Sequence, residues 1–229
     1  MPAQFVIFDF DGTLFDTHQA ISHSIKLTFD LLLPASAPAE REVQKLIGSG
    51  LGLKEVLKEL HPSPNSFDEG EWTSTYRRFY NDQSQDLVSA FPGATELLKR
   101  LNEREIPVAI VSNKGVAAVE AALKSNGIST IPQDLIVGDN TPGATRKPDT
   151  GSFENVLLPA LTARGLPRID VSKTLVVGDT EADVKFAANI GAKSVWCRYG
   201  YGEKSTCENP KPDFTVDSLD EVVGIVERI

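Results

Sequence analysis

The sequence predicts an α/β protein built on a doubly wound parallel sheet, with a helical insertion near its amino-terminal end. From residue 92 onward, short apolar segments alternate with helical patterns, which is typical of parallel β-α-β units. Between residues 17 and 88 the apolar residues follow helical spacing, and no strand pattern occurs. We therefore expect an α/β core domain of residues 1–16 and 89–229, and a small all-helical domain of residues 17–88.

Length, composition and charge limit the possible functions. The chain has 229 residues, of which 41% are hydrophobic and 24% charged, so a globular protein with one large core is expected. The net charge of -9 argues against a nucleic-acid or anionic membrane partner. No apolar run reaches the ~18 residues that a membrane helix requires, and no secretory leader pattern is present. We therefore expect a cytoplasmic protein, in which local cations can still bind an anionic small molecule.

The insertion is divided into helices by proline and glycine. Ile21, Ile25 and Leu32 lie near helical spacing, and the proline-rich segment 34–38 ends this first helix. The turn at residues 48–50 separates the second helix from the third. The helices are expected at Thr17–Leu33, Glu40–Ile47, Leu51–Leu60 and Phe67–Gln85.

The core elements follow from short apolar runs and from their flanking glycines. Gly127 and Gly191 are typical helix stops. The strands are expected at Phe5–Phe8, Pro107–Val111, Asp134–Val137, Thr174–Val177, Lys193–Trp196 and Phe214–Val216. The helices are expected at Pro92–Glu103, Val116–Ser125, Ser152–Arg164, Glu181–Asn189 and Leu219–Arg228. Ligands of such sheets bind beyond the carboxyl ends of the strands, so the residues that follow each strand are candidate site residues.

Two aspartates, Asp9 and Asp11, follow the first strand directly. Two like charges this close raise each other's pKa unless a cation or a proton lies between them, which favours a divalent metal, a proton-transfer role, or both. The plainer interpretation is that they only end a strand and begin a turn. The segment Asp9–Asp16 resembles D-x-D-G-T-L-x-D, the first motif of the haloacid dehalogenase-like hydrolase superfamily.

A second acidic motif follows the strand Thr174–Val177. The segment 178–183 reads G-D-x-x-x-D, and Asp179 at the strand end is expected to face Asp9 and Asp11 across neighbouring strand tips. Carboxylate oxygens suit Mg²⁺, which also keeps several of its waters. Asp183, four residues on, either orients the site or complements the helix dipole.

Two further segments match the same family. Ser112 and Asn113 follow a strand, where an ordinary turn is the alternative interpretation. The resemblance implies that Ser112 donates a hydrogen bond to the transferring phosphoryl group and that Asn113 belongs to the substrate site. Lys147 is expected to offset negative charge during the reaction, although a loop lysine is more often solvated. The family has a Lys-Pro pair at this point, but Thr150 replaces its common second proline.

The resemblance implies two-step phosphoryl transfer. Asp9 would attack phosphorus and form an aspartyl phosphate, while Asp11 would act first as general acid and then as general base. Mg²⁺ would be held by the carboxylates of Asp9 and Asp179 and by the main-chain carbonyl of Asp11. The presence of Asp11 favours phosphate-ester chemistry, because a leaving halide needs no proton.

The helical insertion resembles the cap of phosphoglycolate phosphatases and β-phosphoglucomutases. We therefore expect a Mg²⁺-dependent phosphatase of a small phosphorylated metabolite, similar to phosphoglycolate, with a cap that closes over the site. The alternatives are a phosphosugar mutase and a non-catalytic binding module. The turn 48–51 either reaches into the site or only joins two helices. A substrate carboxylate could meet cap cations, which otherwise form a solvated face; these are Lys45, Lys54, Arg77 and Arg78.

Overall fold

The computed structural model describes residues 3–166 and 169–229, so four residues of the predicted core lie outside it, namely 1, 2, 167 and 168. The strands are β1 (Phe5–Phe8), β2 (Phe15–Asp16), β3 (Ser89–Ala90), β4 (Val108–Val111), β5 (Ile136–Val137), β6 (Thr174–Gly178), β7 (Lys193–Cys197) and β8 (Phe214–Val216). The helices are α1 (His18–Leu32), α2 (Glu40–Ile47), α3 (Leu53–Leu60), α4 (Glu69–Phe79), α5 (Ala94–Glu103), α6 (Val116–Ser125), α7 (Leu158–Ala163), α8 (Glu181–Ile190), α9 (Lys204–Cys207) and α10 (Asp220–Val226).

Six strands form one parallel sheet in the spatial order β5-β4-β1-β6-β7-β8, which confirms the predicted α/β fold. Strand β1 pairs with β4 on one side and with β6 on the other. Phe8 is in register with Ile110 of β4 and with Val177 of β6. The carboxyl ends of these three strands therefore meet at one edge of the sheet, and the residues that follow them are neighbours.

The sheet is buried on both faces. Successive side chains of a strand point to opposite faces, so Val6 and Phe8 pack in one apolar cluster while Phe5 and Ile7 pack in another. Helices α5 and α10 supply side chains to the first cluster, and α7 and α8 supply them to the second. This is the layered arrangement in which a buried parallel strand reads as a continuous apolar run.

Helices α1 to α4 pack around an apolar cluster of their own. Phe29 and Trp72 lie at its centre, with ring centroids 4.7 Å apart, and Leu57 is fully buried beside them. The long helix predicted for Phe67–Gln85 is α4 followed by a π-helical turn, Tyr80–Ser84. No helix among the described residues is long and apolar enough to cross a membrane.

Three local features differ from the sequence-based expectation. Strand β5 begins at Ile136, because residues 133–135 form a 3₁₀ turn. The helix predicted for Ser152–Arg164 begins with a π-helical turn at Ser152–Leu157 before α7. The strands β2 and β3 form a small antiparallel pair where the chain leaves and re-enters the sheet layer. Two-residue strands are too short to show a periodicity, so the sequence did not predict them.

Candidate active site

Asp9 and Asp11 lie at the carboxyl end of β1, in a turn that requires glycine. The backbone N–H of Phe10 donates to Oδ1 of Asp9 at 2.7 Å, which fixes this carboxylate. Gly12 has a φ of +76°, and a Cβ at this position would lie 2.3 Å from Oδ2 of Asp179. The turn therefore brings the two acidic motifs so close together that only glycine fits between them.

Asp179 follows β6 and is fully buried beside the β1 turn. Its Oδ1 accepts a hydrogen bond from Oγ1 of Thr13 at 3.0 Å, and its Oδ2 accepts one from the backbone N–H of Tyr201 at 2.7 Å. These donors come from two different loops and hold the carboxylate in one orientation. The structure thus brings Asp179 to the strand tip next to Asp9, as the parallel topology requires.

Lys147 lies between two carboxylates. Its Nζ is 2.7 Å from Oδ1 of Asp9 and 2.6 Å from Oδ1 of Asp183, and its side chain is 3% exposed. The other oxygen of Asp183 accepts hydrogen bonds from the backbone N–H and Oγ1 of Thr180, which forms a capping box at the start of α8. Asp183 therefore both caps a helix and positions Lys147.

The cluster carries more negative than positive charge. Carboxylate oxygens of Asp9, Asp179 and Asp183 lie within 4.8 Å of one another, against the single ammonium group of Lys147. Burial raises the pKa of Asp9 and of Asp179 above the usual range of carboxyl groups. Burial alone would lower the pKa of Lys147, but Asp183 and Asp9 raise it above its ordinary value. Hard oxygen donors with excess negative charge fit a bound divalent cation.

The side chain of Asp11 points to different partners. Its Oδ1 accepts from Oγ1 of Thr17 at 2.6 Å and lies 3.0 Å from Nζ of Lys114. The same ammonium group lies 4.2 Å from the centroid of the Tyr80 ring. Asp11 is thus separated from the buried carboxylate cluster and paired with a lysine that the sequence analysis missed. Lys114 directly follows Ser112 and Asn113 in the sequence. This position after a strand is the pattern that could have revealed it.

Ser112 and Asn113 lie at the carboxyl end of β4. Ser112 is buried, and its Oγ accepts a weak hydrogen bond from the backbone N–H of Lys114 at 3.3 Å. The side-chain amide of Asn113 donates to the carbonyl of Gly50 at 2.9 Å, and its Oδ1 accepts from the backbone N–H of Lys147 at 3.1 Å. Asn113 therefore joins the turn between α2 and α3 to the loop that carries Lys147.

Tyr201 is a second site residue that sequence reasoning missed. Its hydroxyl donates to Oδ1 of Asp16 at 2.8 Å and accepts from the backbone N–H of Thr17 at 2.7 Å and of His18 at 3.0 Å. Tyr201 therefore links the start of α1 to the carboxylate of Asp179, to which its backbone donates. The sequence gives no indication of this role, because Tyr201 lies far along the chain from both partners.

A cavity of about 230 Å³ lies between the helical insertion and the end of the sheet. Asp9, Asp11, Ser112, Asn113 and Lys147 line it, together with side chains of α1 to α4. Asp179, which is fully buried, is not among its lining residues. The predicted catalytic and substrate-site residues therefore converge on one cavity.

The cap cations of the sequence analysis have different surroundings. Among the four, Arg77 alone lines the cavity in the described part of the chain, and it lies 3.3 Å from Asp139. Lys54 forms a surface ion pair with Glu69 at 2.6 Å. The turn between α2 and α3 does reach the site, since Gly50 and Leu51 line the cavity.

The fold and the site define a class of protein: an α/β enzyme with an acidic, cation-compatible centre at the carboxyl edge of a parallel sheet. The haloacid dehalogenase-like hydrolase family model matches residues 6–197, and the chain belongs to this family. The predicted family, fold class and enzyme class are thereby confirmed.

The relatives are phosphatases and pyrophosphatases. The phosphoglycolate phosphatase of Vibrio vulnificus is 27% identical over 227 residues, which cover 96% of this chain and 95% of that protein. The pyrophosphatase PpaX of Listeria monocytogenes is 24% identical over 221 residues, with 96% and 95% covered.

Solved structures match equally completely. A haloacid dehalogenase-like family hydrolase from Streptococcus pneumoniae superposes with a TM-score of 0.80 at 23% identity, covering 98% of this chain and 99% of that one. A predicted phosphoglycolate phosphatase from Haemophilus somnus superposes with a TM-score of 0.76 at 25% identity, with 98% of both chains covered. The chain therefore agrees with hydrolases of this family in both sequence and fold.

Proposed function

We propose that this protein is a Mg²⁺-dependent phosphatase that hydrolyses a small phosphate ester through an aspartyl phosphate on Asp9. The observation that carries the proposal is the position of Asp9, which lines the cavity while its Oδ1 lies 2.7 Å from Nζ of Lys147. A carboxylate so placed is open to substrate and fixed by a cation. The names of the relatives, phosphoglycolate phosphatase and pyrophosphatase, support a phosphate substrate.

In the first step, an oxygen of Asp9 attacks phosphorus, and the bond between phosphorus and the leaving oxygen breaks. Asp11 lines the same cavity and gives its proton to the leaving alcohol. Lys147 offsets the negative charge that moves from Asp9 onto the phosphoryl oxygens, and Ser112 donates a hydrogen bond to one of them.

In the second step, water attacks phosphorus and the bond between phosphorus and Asp9 breaks. Asp11 accepts the proton of the attacking water and returns to its starting state. The carboxylate of Asp11 is held for both roles by Thr17 and Lys114. The products are inorganic phosphate and the regenerated carboxylate of Asp9.

The metal site proposed here consists of the carboxylates of Asp9 and Asp179 and the main-chain carbonyl of Asp11. The excess negative charge of the buried cluster supports a bound cation at this place. When bound, Mg²⁺ would neutralise phosphoryl charge and orient the ester. Asp183 pairs with Lys147 and accepts a hydrogen bond from Thr180 at the start of α8, so we assign it a positioning role.

We also propose that residues 17–88 act as a cap domain over a core of residues 1–16 and 89–229. Asn113 and Arg146 of the core contact Gly50 and Glu55 of this segment. A closed cap excludes water and selects the leaving group. A phosphosugar mutase would use the same first step, but would return the phosphoryl group to a sugar phosphate.

The test is release of inorganic phosphate from a panel of esters, including phosphoglycolate, sugar phosphates, nucleotides and pyrophosphate. Wild type should release phosphate only with Mg²⁺, and Asp9→Asn should release none. Asp134→Asn is the matched control, because Asp134 pairs with Arg164 at the surface. Turnover that requires a sugar bisphosphate would favour the mutase. If no ester is turned over, a binding module is favoured.

A further inference from the structure

The cavity has apolar walls where the leaving group of an ester would lie. Side chains from the four helices α1 to α4 and from the π-helical turn line this part of it, among them Ile21, Ile47, Leu53, Tyr76 and Tyr80. The cavity of about 230 Å³ has room for a leaving group beside the phosphoryl group at Asp9. The shape and lining therefore carry information about the leaving group.

Part of this apolar wall is explained by folding alone. Tyr76 and Tyr80 are buried members of the apolar cluster inside the helical insertion. Ile21, Ile47 and Leu53 are only partly buried, however, and they also line the cavity. An apolar cavity that stays unfilled lowers stability, so walls of this kind favour a ligand with apolar surface.

The cations of the cavity are already paired. Among the described residues three cations line it, and each has a carboxylate within 3.3 Å: Lys147 has Asp9, Lys114 has Asp11, and Arg77 has Asp139. A carboxylate on the leaving group would have to displace one of these partners. The partner would then remain as an uncompensated, partly buried charge, which is costly.

The carboxylate of Asp139 indicates which polar group a ligand of the cavity would need. Its side chain is 6% exposed, and it lines the cavity beside Arg77. Oδ1 of Asp139 is buried and has no hydrogen-bond partner among the described residues, while Oδ2 faces Arg77 and Arg146. A buried acceptor without a donor is rare, so this carboxylate calls for a donor from a bound water or from a ligand.

We propose that the preferred ester has an apolar, ring-sized leaving group that carries an O–H or N–H donor, and has no carboxylate. This inference rests on the proposed phosphatase function and names the substrate class of the same site. The ring would contact the walls formed by Ile21, Ile47 and Leu53, and its donor would approach the carboxylate of Asp139, which lines the cavity.

The first test compares kcat/KM for four primary alkyl phosphates of similar intrinsic reactivity: ethyl phosphate, phosphoglycolate, 2-phenylethyl phosphate and 2-(4-hydroxyphenyl)ethyl phosphate. The phenyl ester should exceed both ethyl phosphate and phosphoglycolate by at least about tenfold, because burial of a ring removes a large apolar area from water. The hydroxyl group should raise kcat/KM further. An equal or lower kcat/KM for the hydroxylated ester would overturn the donor assignment.

The second test changes the wall. Ile47→Asn should reduce the ratio of kcat/KM between phenylethyl and ethyl phosphate, whereas Leu31→Asn should not. Leu31 is the matched control, because it is 54% exposed and does not line the cavity. Ile47→Lys should increase the relative kcat/KM for phosphoglycolate by adding a cation to the cavity wall.

Different results would contradict the phosphatase function and the apolar leaving group. If no ester is hydrolysed in the presence of Mg²⁺, the proposed function is wrong. If the kcat/KM of wild type for phosphoglycolate or ethyl phosphate equals that for the phenyl ester, the phosphatase function stands and the proposed apolar leaving group is wrong. A phenyl preference that Ile47→Asn leaves unchanged would also overturn the assigned wall.

Discussion

The ammonium group of Lys114 lies 3.0 Å from Oδ1 of Asp11. The same ammonium group lies 4.2 Å from the centroid of the Tyr80 ring. Lys114 follows the end of β4 in the core, whereas Tyr80 begins the π-helical turn of the insertion. Such turns occur frequently at functional sites. One lysine therefore connects the helical insertion to the residue to which we assign proton transfer.

The first prediction concerns this lysine. Lys114→Met should reduce kcat by about 10- to 100-fold, because a hydrogen bond to a charged group that orients Asp11 is lost. Steady-state kinetics against the preferred ester measure the effect. Lys124→Met, an exposed change on the neighbouring α6, is the control and should leave kcat unchanged. A Lys114→Met enzyme within twofold of wild type would show that Lys114 does not support Asp11.

A second prediction separates backbone strain from crowding at the site. Gly12 and Gly127 both have positive φ, +76° and +69°, but a Cβ on Gly127 would meet nothing within 4 Å. Alanine at either position should destabilise the protein by about 1 to 2 kcal/mol through strain. Only Gly12→Ala should also abolish Mg²⁺-dependent turnover, because its Cβ would displace Asp179. Equal activity of the two variants would contradict the close approach of the two acidic motifs.

A third prediction concerns the metal. Mg²⁺ at 100 times its Kd should stabilise the folded protein by about 2.7 kcal/mol, which corresponds to a rise in Tm of about 5 to 10 °C for a chain of this size. Thermal unfolding with Mg²⁺ and with EDTA measures the shift. Asp179→Asn should lose most of it. If Mg²⁺ raises the Tm of both proteins equally, the cation binds elsewhere.

The fourth prediction is a pH dependence of stability in metal-free protein. Burial raises the pKa of Asp9 above its ordinary value of 3.8, so the folded state binds more protons than the unfolded state above that pH. Stability is therefore lost as the pH rises from 3.8 through the folded pKa. Asp9→Asn removes this loss and should increase Tm relative to wild type more at pH 8 than at pH 4.

The control for this experiment is Asp217→Asn. Asp217 pairs with Arg198 at the surface, which lowers its pKa, so its charge favours folding at neutral pH. Asp217→Asn should therefore not increase Tm at pH 8. If Asp9→Asn decreases Tm at pH 8 in EDTA, the ion pair with Lys147 outweighs the cost of burying Asp9.

Local sequence patterns predicted the sheet and the acidic centre for a physical reason. A buried parallel strand is a continuous apolar run, and the edge where such strands end is fixed by their direction, so Asp9 and Asp179 could be expected to meet. Lys114 was missed because its role depends on the approach of Tyr80 from a different segment. Tyr201 and the unpaired oxygen of Asp139 likewise depend on tertiary contacts that no local pattern contains.

Other predictions remain open. The division into core and cap, the identity of the metal, the roles of all the site residues, and a cytoplasmic location stay predictions. The structure adds a constraint to the predicted role of Asn113. The amide of Asn113 is occupied by Gly50 and Lys147, so any substrate contact has to share or replace these hydrogen bonds.

A trapped phosphoenzyme would identify Asp9 as the nucleophile. The Asp11→Asn variant is mixed with p-nitrophenyl phosphate and Mg²⁺, because this leaving group needs no acid while the second step still needs a base. Acid quenching and peptide mapping by mass spectrometry then locate the phosphoryl group. We predict a stoichiometric burst of p-nitrophenol and a phosphorylated peptide that contains Asp9, both absent from the Asp9→Asn, Asp11→Asn double variant. A phosphoryl group on another residue, or a burst that survives the loss of Asp9, would contradict this assignment.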